Sequence, residues 1–301
     1  MEKQSLIYRV KRKLLHIAAP LMSDRLFLKC LFRIKMGYNL NLENPQTFNE
    51  KLQWLKLYDR RPEYTKMVDK VEAKEYVANI IGDEYIIPTL AVYDCIEDID
   101  FDALPRQFVM KCTHDSGGII ICRNKDAFDR KAAIRKLTRG LKKNYFLQNR
   151  EWPYKNIKPR IIVEQYMTNS IEPIDELSDY KWFCFDGEPK AMFIATDRFL
   201  KGEETKFDFY DTEFRHLPFT NGHPNATKTI VKPHSFDAMK SLATKLSQGL
   251  PQVRVDFYDV NGHIYFGELT FFHWSGLTPF EPIEWDYKFG EYLKLPKKCV
   301  V

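Results

Sequence analysis

Hydrophobic spacing divides the chain into helical stretches at its beginning and alternating, strand-like stretches in its second half. Leu6, Val10, Leu14, Ile17 and Leu21 recur at helical spacing, with Arg9, Lys11, Arg12 and Lys13 between them, until Pro20 interrupts the pattern. Apolar stripes of this kind usually pack inward, so this helix is expected to dock on its own domain. The run NPQTFNEKLQWLKLYDRRPEY opens with turn residues and places Phe48, Leu52, Leu55 and Trp54 on one side of a second helix. A further helix is expected after Thr65, through Lys66, Asp69, Lys70, Lys74 and Tyr76 to a stop at Gly82. Residues 108–124 read as strand, glycine turn, strand; 126–148 as helical; Arg160 to Met167 as a strand ending in a polar turn. A strand over 179–187 closes in an Asp-Gly turn, with Ala191 to Ala195 as its partner. The polar stretch 200–233 is assigned to loops, including Thr220 and Asn221, and Ser235 to Gly249 to a capped helix.

The segment VRVDFYDVNGHIYFGELT, residues 253–270, reads as a hairpin whose register decides its chemistry. A two-residue turn at Asn261-Gly262 would pair Val260 with His263, set Asp256 opposite Gly267 and leave Glu268 on the other side of the ribbon. A three-residue loop, Val260-Asn261-Gly262 with Gly262 left-handed, sets Arg254 opposite Glu268 and gathers Val253, Val255, Phe257, Leu269 and Phe271 on one face. The bulged loop is the reading adopted, because it separates the apolar residues from Arg254, Asp256, Glu268 and Thr270. Two carboxylates on neighbouring strands beside an arginine suit magnesium, a hard cation that shares oxygen ligands with substrate phosphates, with the arginine offsetting charge on a transferred phosphoryl group. A cross-strand Arg254 to Glu268 ion pair with Asp256 solvated explains the same residues without a ligand.

The strand FVMKC runs into His114-Asp115-Ser116-Gly117-Gly118. A lysine just before a flexible glycine loop, here Lys111, can neutralise polyphosphate charge while backbone N–H groups approach the oxygens unobstructed. An ordinary hairpin with an exposed lysine accounts for it equally well, and neither a Walker sequence nor a dinucleotide fingerprint is present. Lys181, alternating with apolar neighbours, either points into a cleft or guards an edge strand. His216, His223 and His234 are too irregularly spaced for a metal claim, whereas His273-Trp274-Ser275-Gly276 is expected to form a substrate-facing loop.

The chain has 301 residues, 44% apolar and 29% charged, enough for two or three lobes and not for disorder. Its apolar runs are too short to span a membrane and it has no signal-peptide pattern, so a cytoplasmic protein is expected. Six cysteines without CxxC or zinc spacing read as reduced thiols, Cys112 being a weak candidate for reactivity. The net charge of +5 is concentrated at one end, since residues 1–40 carry +7. That segment is a candidate for contact with a polyanion or with an anionic membrane surface, at the inner face of the membrane. No nucleic-acid module accompanies the charge, so a nucleic-acid partner is not expected.

Taken in order, Lys111 with Gly117 and Gly118, Glu164-Gln165-Tyr166, Arg254-x-Asp256 and Glu268-x-Thr270 resemble the ATP-grasp family. The phrases TFNEKLQWLKLYDRRPEYTKMVDK, FVMKCTHDSGG, RIIVEQYM, DYKWFCFDGEPK and VRVDFYDVNGHIYFGELTFFHWSG are similar to the TupA-like ATP-grasp subgroup, named for teichuronopeptide biosynthesis. The resemblance, over about Asn44 to Gly290, implies an α+β fold in which two lobes with antiparallel sheets clamp ATP, preceded by a helical region. It divides the chain into a basic N-terminal segment (1–43), a helical α+β region (44–107), a small lobe with the glycine loop (108–166) and a large lobe with the metal hairpin (167–301). It further implies that Lys111 binds the α and β phosphates under the turn Ser116 to Gly118, and that Glu164, Gln165 and Tyr166 form the adenine hinge. Asp256 and Glu268, with Thr270 where ATP-grasp ligases commonly have asparagine, would carry Mg2+. Arg254 and Lys181 would serve the transferred phosphoryl, and Lys70 would be a further phosphate contact. The implied activity is an ATP- and Mg2+-dependent carboxylate-amine ligase working through an acyl phosphate, joining an amine or amino acid to an acidic sugar or glycan in surface polysaccharide biosynthesis. A phosphotransferase using the same residues and a sugar-nucleotide glycosyltransferase are the alternatives.

Overall fold

The computed structural model describes residues 6–115, 117–168, 177–198 and 202–298. Ser116, most of the loop expected over Thr168 to Ser178, and Cys299 lie outside the described residues. The helices are α1 (Leu6–Ala18), α2 (Asp24–Met36), α3 (Phe48–Tyr58), α4 (Glu63–Val68), α5 (Glu72–Ile81), α6 (Arg130–Leu141), α7 (Phe146–Asn149), α8 (Phe236–Leu246) and α9 (Glu284–Tyr292). The strands are β1 (Thr89–Tyr93), β2 (Phe108–Cys112), β3 (Ile120–Cys122), β4 (Ile161–Gln165), β5 (Asp179–Phe185), β6 (Glu188–Thr196), β7 (Lys206–Asp211), β8 (Thr220–Asn221), β9 (Gln252–Val260), β10 (His263–Thr270) and β11 (Phe280–Glu281).

Two antiparallel sheets carry the architecture. The smaller runs β1-β4-β2-β3 and the larger β10-β9-β5-β6-β7, with β11-β8 as a separate short pair. The smaller sheet has its own core, in which Phe108, Met110, Cys112, Ile161 and Val163 pack with Leu137 of α6. Its edge strand comes from residues 89–93, ahead of the 108–166 span assigned to that lobe from the sequence. The larger sheet is buried on both faces. Trp182 and Cys184 meet α8 through Phe236 and the Ala243 carbonyl, while Phe183 and Phe185 pack on the other face against Phe289 of α9 and Phe48 of α3. Because side chains alternate along a strand, Asp179 and Lys181 share the face of Phe183 and Phe185. That face is aromatic core at one end and charged at the other.

Local chemistry accounts for the element boundaries that matter. A capping box starts α3: Glu50 N–H donates to the Thr47 hydroxyl at 3.2 Å, and Thr47 N–H donates to the Glu50 carboxylate at 3.2 Å. The single helix expected through Asp69 and Lys70 is two helices instead. Asp69 Oδ1 accepts from Val71 N–H at 2.9 Å and Glu72 N–H at 3.0 Å, which caps α5 afresh and leaves Lys70 in the break. The polar stretch 200–233 contains β7, corrected from loop, with Phe207 and Phe209 buried and the buried carboxylate of Asp208 accepting from Ala226 N–H at 3.1 Å. It contains β8 as well.

The hairpin register also differs from the expected loop. Asn261 (φ 54°) and Gly262 (φ 84°) form a two-residue turn that pairs His263 with Val260. The extra residue sits instead at Gly267, between Phe266 opposite Phe257 and Glu268 opposite Asp256. A Cβ at Gly267 would lie 3.1 Å from the Asp256 carbonyl oxygen, so the bulge falls where no side chain obstructs it. Moving the bulge from turn to strand gives the same sorting of faces: Thr270 lies opposite Arg254, and Val253, Val255, Phe257 and Leu269 are buried together.

Candidate functional site

Between the two sheets lies a cleft lined by residues of both. The small sheet contributes Lys111 and Glu164, the glycine turn Asp115, Gly117 and Gly118, and the α4–α5 break Lys70, with Lys74 one turn further on. From the large sheet come Asp179, Lys181, Tyr258 and Glu268. Lys70, Lys74, Lys111 and Lys181 therefore line one space with a half-exposed carboxylate, Glu268, which shares the large-sheet wall with Lys181.

The lysines are held by internal anions and carbonyls. Glu164 bridges two of them, its Oε1 2.6 Å from Lys74 Nζ and its Oε2 2.6 Å from Lys111 Nζ. Burial alone would raise the Glu164 carboxyl, but Lys111 and Lys74 outweigh it and bring it down to about 2. Lys70 donates to the Asp115 carbonyl, tying the α4–α5 break to the glycine turn. Burial, more than any neighbour, lowers the Lys70 pKa. The adenine hinge expected at Glu164 to Tyr166 would meet the base mainly through backbone, and the Glu164 carboxylate is engaged by lysines. Gln165 N–H donates to the Pro88 carbonyl at 3.0 Å, and Tyr166 takes a bond from Arg123 at 3.2 Å; neither residue lines the cleft.

On the large sheet the charged end of the β5–β9–β10 face is organised around Arg254. Its Nε donates to Asp256 Oδ1 and its Nη2 to Asp256 Oδ2, both at 2.7 Å, a bidentate pair. Nη2 also reaches Glu268 Oε1 at 3.2 Å and Thr270 Oγ1 at 3.0 Å, and Nη1 meets His273 Nδ1 at 2.7 Å. Burial, then the Arg254 charge, pushes the His273 pKa well below its usual value, so the ring is neutral. Nδ1 then accepts from Arg254 and Nε2 donates to Asn221 Oδ1 at 2.8 Å. His273, expected on a substrate-facing loop, is instead buried behind Arg254. Lys181 sits between Asp256 and Asp179, 2.7 Å from the latter. Burial opposes ionisation of Asp256, yet Arg254 and Lys181 prevail and hold its carboxyl well below the usual range. The solvated Asp256 of the ion-pair alternative is absent, since that residue is 1% exposed.

The structure thus brings Lys70, Lys111, Gly117, Gly118, Glu164, Lys181 and Glu268 to one cleft, with Arg254, Asp256 and Thr270 directly joined to its wall. Asp179, Lys74 and Tyr258 were not singled out from the sequence. Asp179 had a legible signal, because its spacing of two from Lys181 puts both on one strand face. Cys112 is buried, and burial first, with Asp115 second, pushes its thiol up to about 11, which disfavours the thiolate.

The donor set fits a polyphosphate with a hard divalent cation. Two carboxylates on paired strands, Asp256 and Glu268, are the number Mg2+ takes from protein when phosphates complete its shell. No group of three His, Cys, Asp or Glu arranged to hold a metal ion occurs among the described residues, so the remaining ligands would come from water, Thr270 or the nucleotide. A cation at Asp256 competes with the Lys181 ammonium already there.

No curated protein matches the sequence. Among solved structures the chain is similar to D-alanine–D-alanine ligase from Bacillus anthracis complexed with ATP, at 14% identity and a TM-score of 0.39, covering 68% of this chain and 53% of that one. It is similar to the ligase of the same name from Helicobacter pylori at 13% identity and a TM-score of 0.39, covering 76% of this chain and 61% of that one. Similarity to the ATP-grasp ligase PsnB, complexed with a phosphomimetic variant of its minimal precursor, Mg and ADP, is 10% in identity with a TM-score of 0.44, covering 82% and 66%. The chain therefore spans between about half and two thirds of the length of these structures. The sequence matches the TupA-like ATP-grasp family over residues 50–294, which takes in every described element from α4 to α9 and nearly all of α3. With an α+β fold of two antiparallel sheets meeting at a cation-lined cleft, the chain belongs to the TupA-like ATP-grasp family.

Proposed function

We propose that this protein is an ATP- and Mg2+-dependent carboxylate-amine ligase that activates its acceptor as an acyl phosphate. The observation that carries the reading is one cleft lined by Lys70 and Lys111 and, from the large sheet, by Lys181 and Glu268, backed by Asp256. Lys111 and Lys70 neutralise the phosphates of ATP, and the Gly117-Gly118 backbone approaches them closely. Glu268 and Asp256 hold Mg2+, which supplies Lewis-acid neutralisation of phosphate charge when bound. Arg254, bonded to Asp256, Glu268 and Thr270 at once, fixes their geometry before the nucleotide arrives. Lys181 stands where an ammonium can pass from Asp256 to the phosphoryl group in transfer.

The acceptor carboxylate oxygen attacks the γ phosphorus and ADP departs. The amine nitrogen then attacks the acyl carbon, phosphate leaves and the nitrogen loses a proton, giving an amide. No enzyme nucleophile is needed, in keeping with the high Cys112 pKa. The TupA-like membership favours an acidic sugar or glycan as acceptor and an amino acid or other amine as second substrate. Incubation with ATP, Mg2+, uronic acids and amino acids should yield an amide by mass spectrometry, with ADP and phosphate released in proportion to amide. A stable phosphorylated acceptor formed equally well without amine would overturn the ligase in favour of a phosphotransferase.

A further inference from the structure

Helix α1 presents its apolar stripe to solvent, contrary to the inward packing expected from its sequence. It seats on the protein through Leu15, and the turn that follows through Ala19, whose carbonyl accepts from the buried Arg150 at 2.6 Å. At about 100° per residue, Leu6, Ile7, Val10, Leu14 and Ile17 fall within one arc opposite Leu15. They are exposed, with Leu14 at 60%, Ile17 at 66% and the nearby Leu21 at 93%. On the same wheel Lys13 and Arg9 border one edge of the arc and Lys11 the other, all exposed. There is no acidic residue in the helix.

From this arrangement we infer that α1 is a docking surface for an anionic lipid bilayer, on which it lies parallel to the membrane plane. An apolar arc edged by lysine and arginine matches an acyl boundary beneath anionic headgroups, the long basic side chains reaching up to the phosphates as the leucines sink. Charge complementarity selects this occupant. A second copy packed face to face would oppose two basic edges with no carboxylate on the helix to pair them. The helix lies on a bilayer rather than crossing it, since no helix among the described residues is long and apolar enough to span one. The inference is independent of the nucleotide cleft, whose residues are all remote in sequence from α1.

The test is co-sedimentation of the full chain with vesicles of phosphatidylcholine alone or with about one quarter phosphatidylglycerol, at low and high salt. Binding is expected on the acidic vesicles and at least about tenfold weaker on neutral ones or in high salt. The double substitution Leu14→Glu and Ile17→Glu, at exposed positions outside the cleft, should weaken it at least about tenfold more while leaving the melting temperature unchanged. Absence of binding, equal binding to both vesicles, or a concentration-dependent dimer that the same substitutions dissociate would overturn the inference.

Discussion

Glu268→Gln should lower Mg2+-dependent ATP turnover by about 100-fold or more with little change in stability, whereas Asp256→Asn should lose both activity and stability. The difference lies in how each carboxylate is held. The Glu268 side chain is 46% exposed and shares 3.2 Å contacts with Arg254 and Thr270. Asp256 is 1% exposed and neutralises two buried cations, Arg254 and Lys181. Replacing it with a neutral amide leaves those cations undercompensated, at a cost of about 3–5 kcal/mol. A carboxylate whose partners were only metal and nucleotide could be changed with little loss of fold, but Asp256 is also the partner of a buried guanidinium. Turnover and denaturant melts of both variants measure the split. Equal, near-wild-type activity in the two would remove the metal assignment, and equal stability would remove the structural one.

Acid should unfold the protein through its buried carboxylates, with Glu164 the largest single contributor. Its pKa falls from an ordinary 4.5 to about 2 under the influence of Lys111 and Lys74, against the opposing effect of burial. A carboxyl depressed in the folded state stabilises the fold fully above its unfolded pKa and loses that contribution as pH falls through the folded value. The window therefore runs from about pH 5 down to about pH 2, and Asp256, also depressed, loses its contribution in the same direction. For Glu164 the contribution is on the order of 3 kcal/mol. Glu164→Gln should be less stable at neutral pH and should show a shallower decline across that window. Denaturation midpoints from pH 7 to pH 2 check it; an unchanged slope in the variant would mean that the Glu164 bridge is not a stabilising pair.

The sorting of residues 253–270 into an apolar face and a charged face was legible because only a ribbon with one extra residue puts Leu269 on the same face as Val253, Val255 and Phe257. The bulge that achieves it was misplaced for a physical reason. Both a three-residue loop and a bulge at Gly267 add one residue to a strand, and periodicity cannot distinguish where it is added. The turn dipeptide Asn261-Gly262 and a glycine inside the strand pointed to the second solution. Lys111 and its glycine turn were visible as a motif, but the Glu164 bridge joins residues more than fifty positions apart and leaves no local mark. The break that delivers Lys70 to the cleft was obscured by the helical spacing on both sides of it, although Asp69 is a natural cap. The strand β7 does alternate over Lys206-Phe207-Asp208-Phe209, but it is only six residues long and lies within a stretch dense in polar and turn residues, which hid it.

The central claim is that this cleft takes the triphosphate of ATP between the small-sheet lysines and the carboxylates of the hairpin. A crystal structure with Mg2+ and a non-hydrolysable ATP analogue tests it directly. The account predicts phosphate oxygens within hydrogen-bonding distance of Lys111 and Lys70, the metal on Glu268 and Asp256, and Lys181 moved from Asp256 to the γ-phosphate. A nucleotide bound outside the cleft, or one inside it with the metal bound to neither carboxylate, would contradict it.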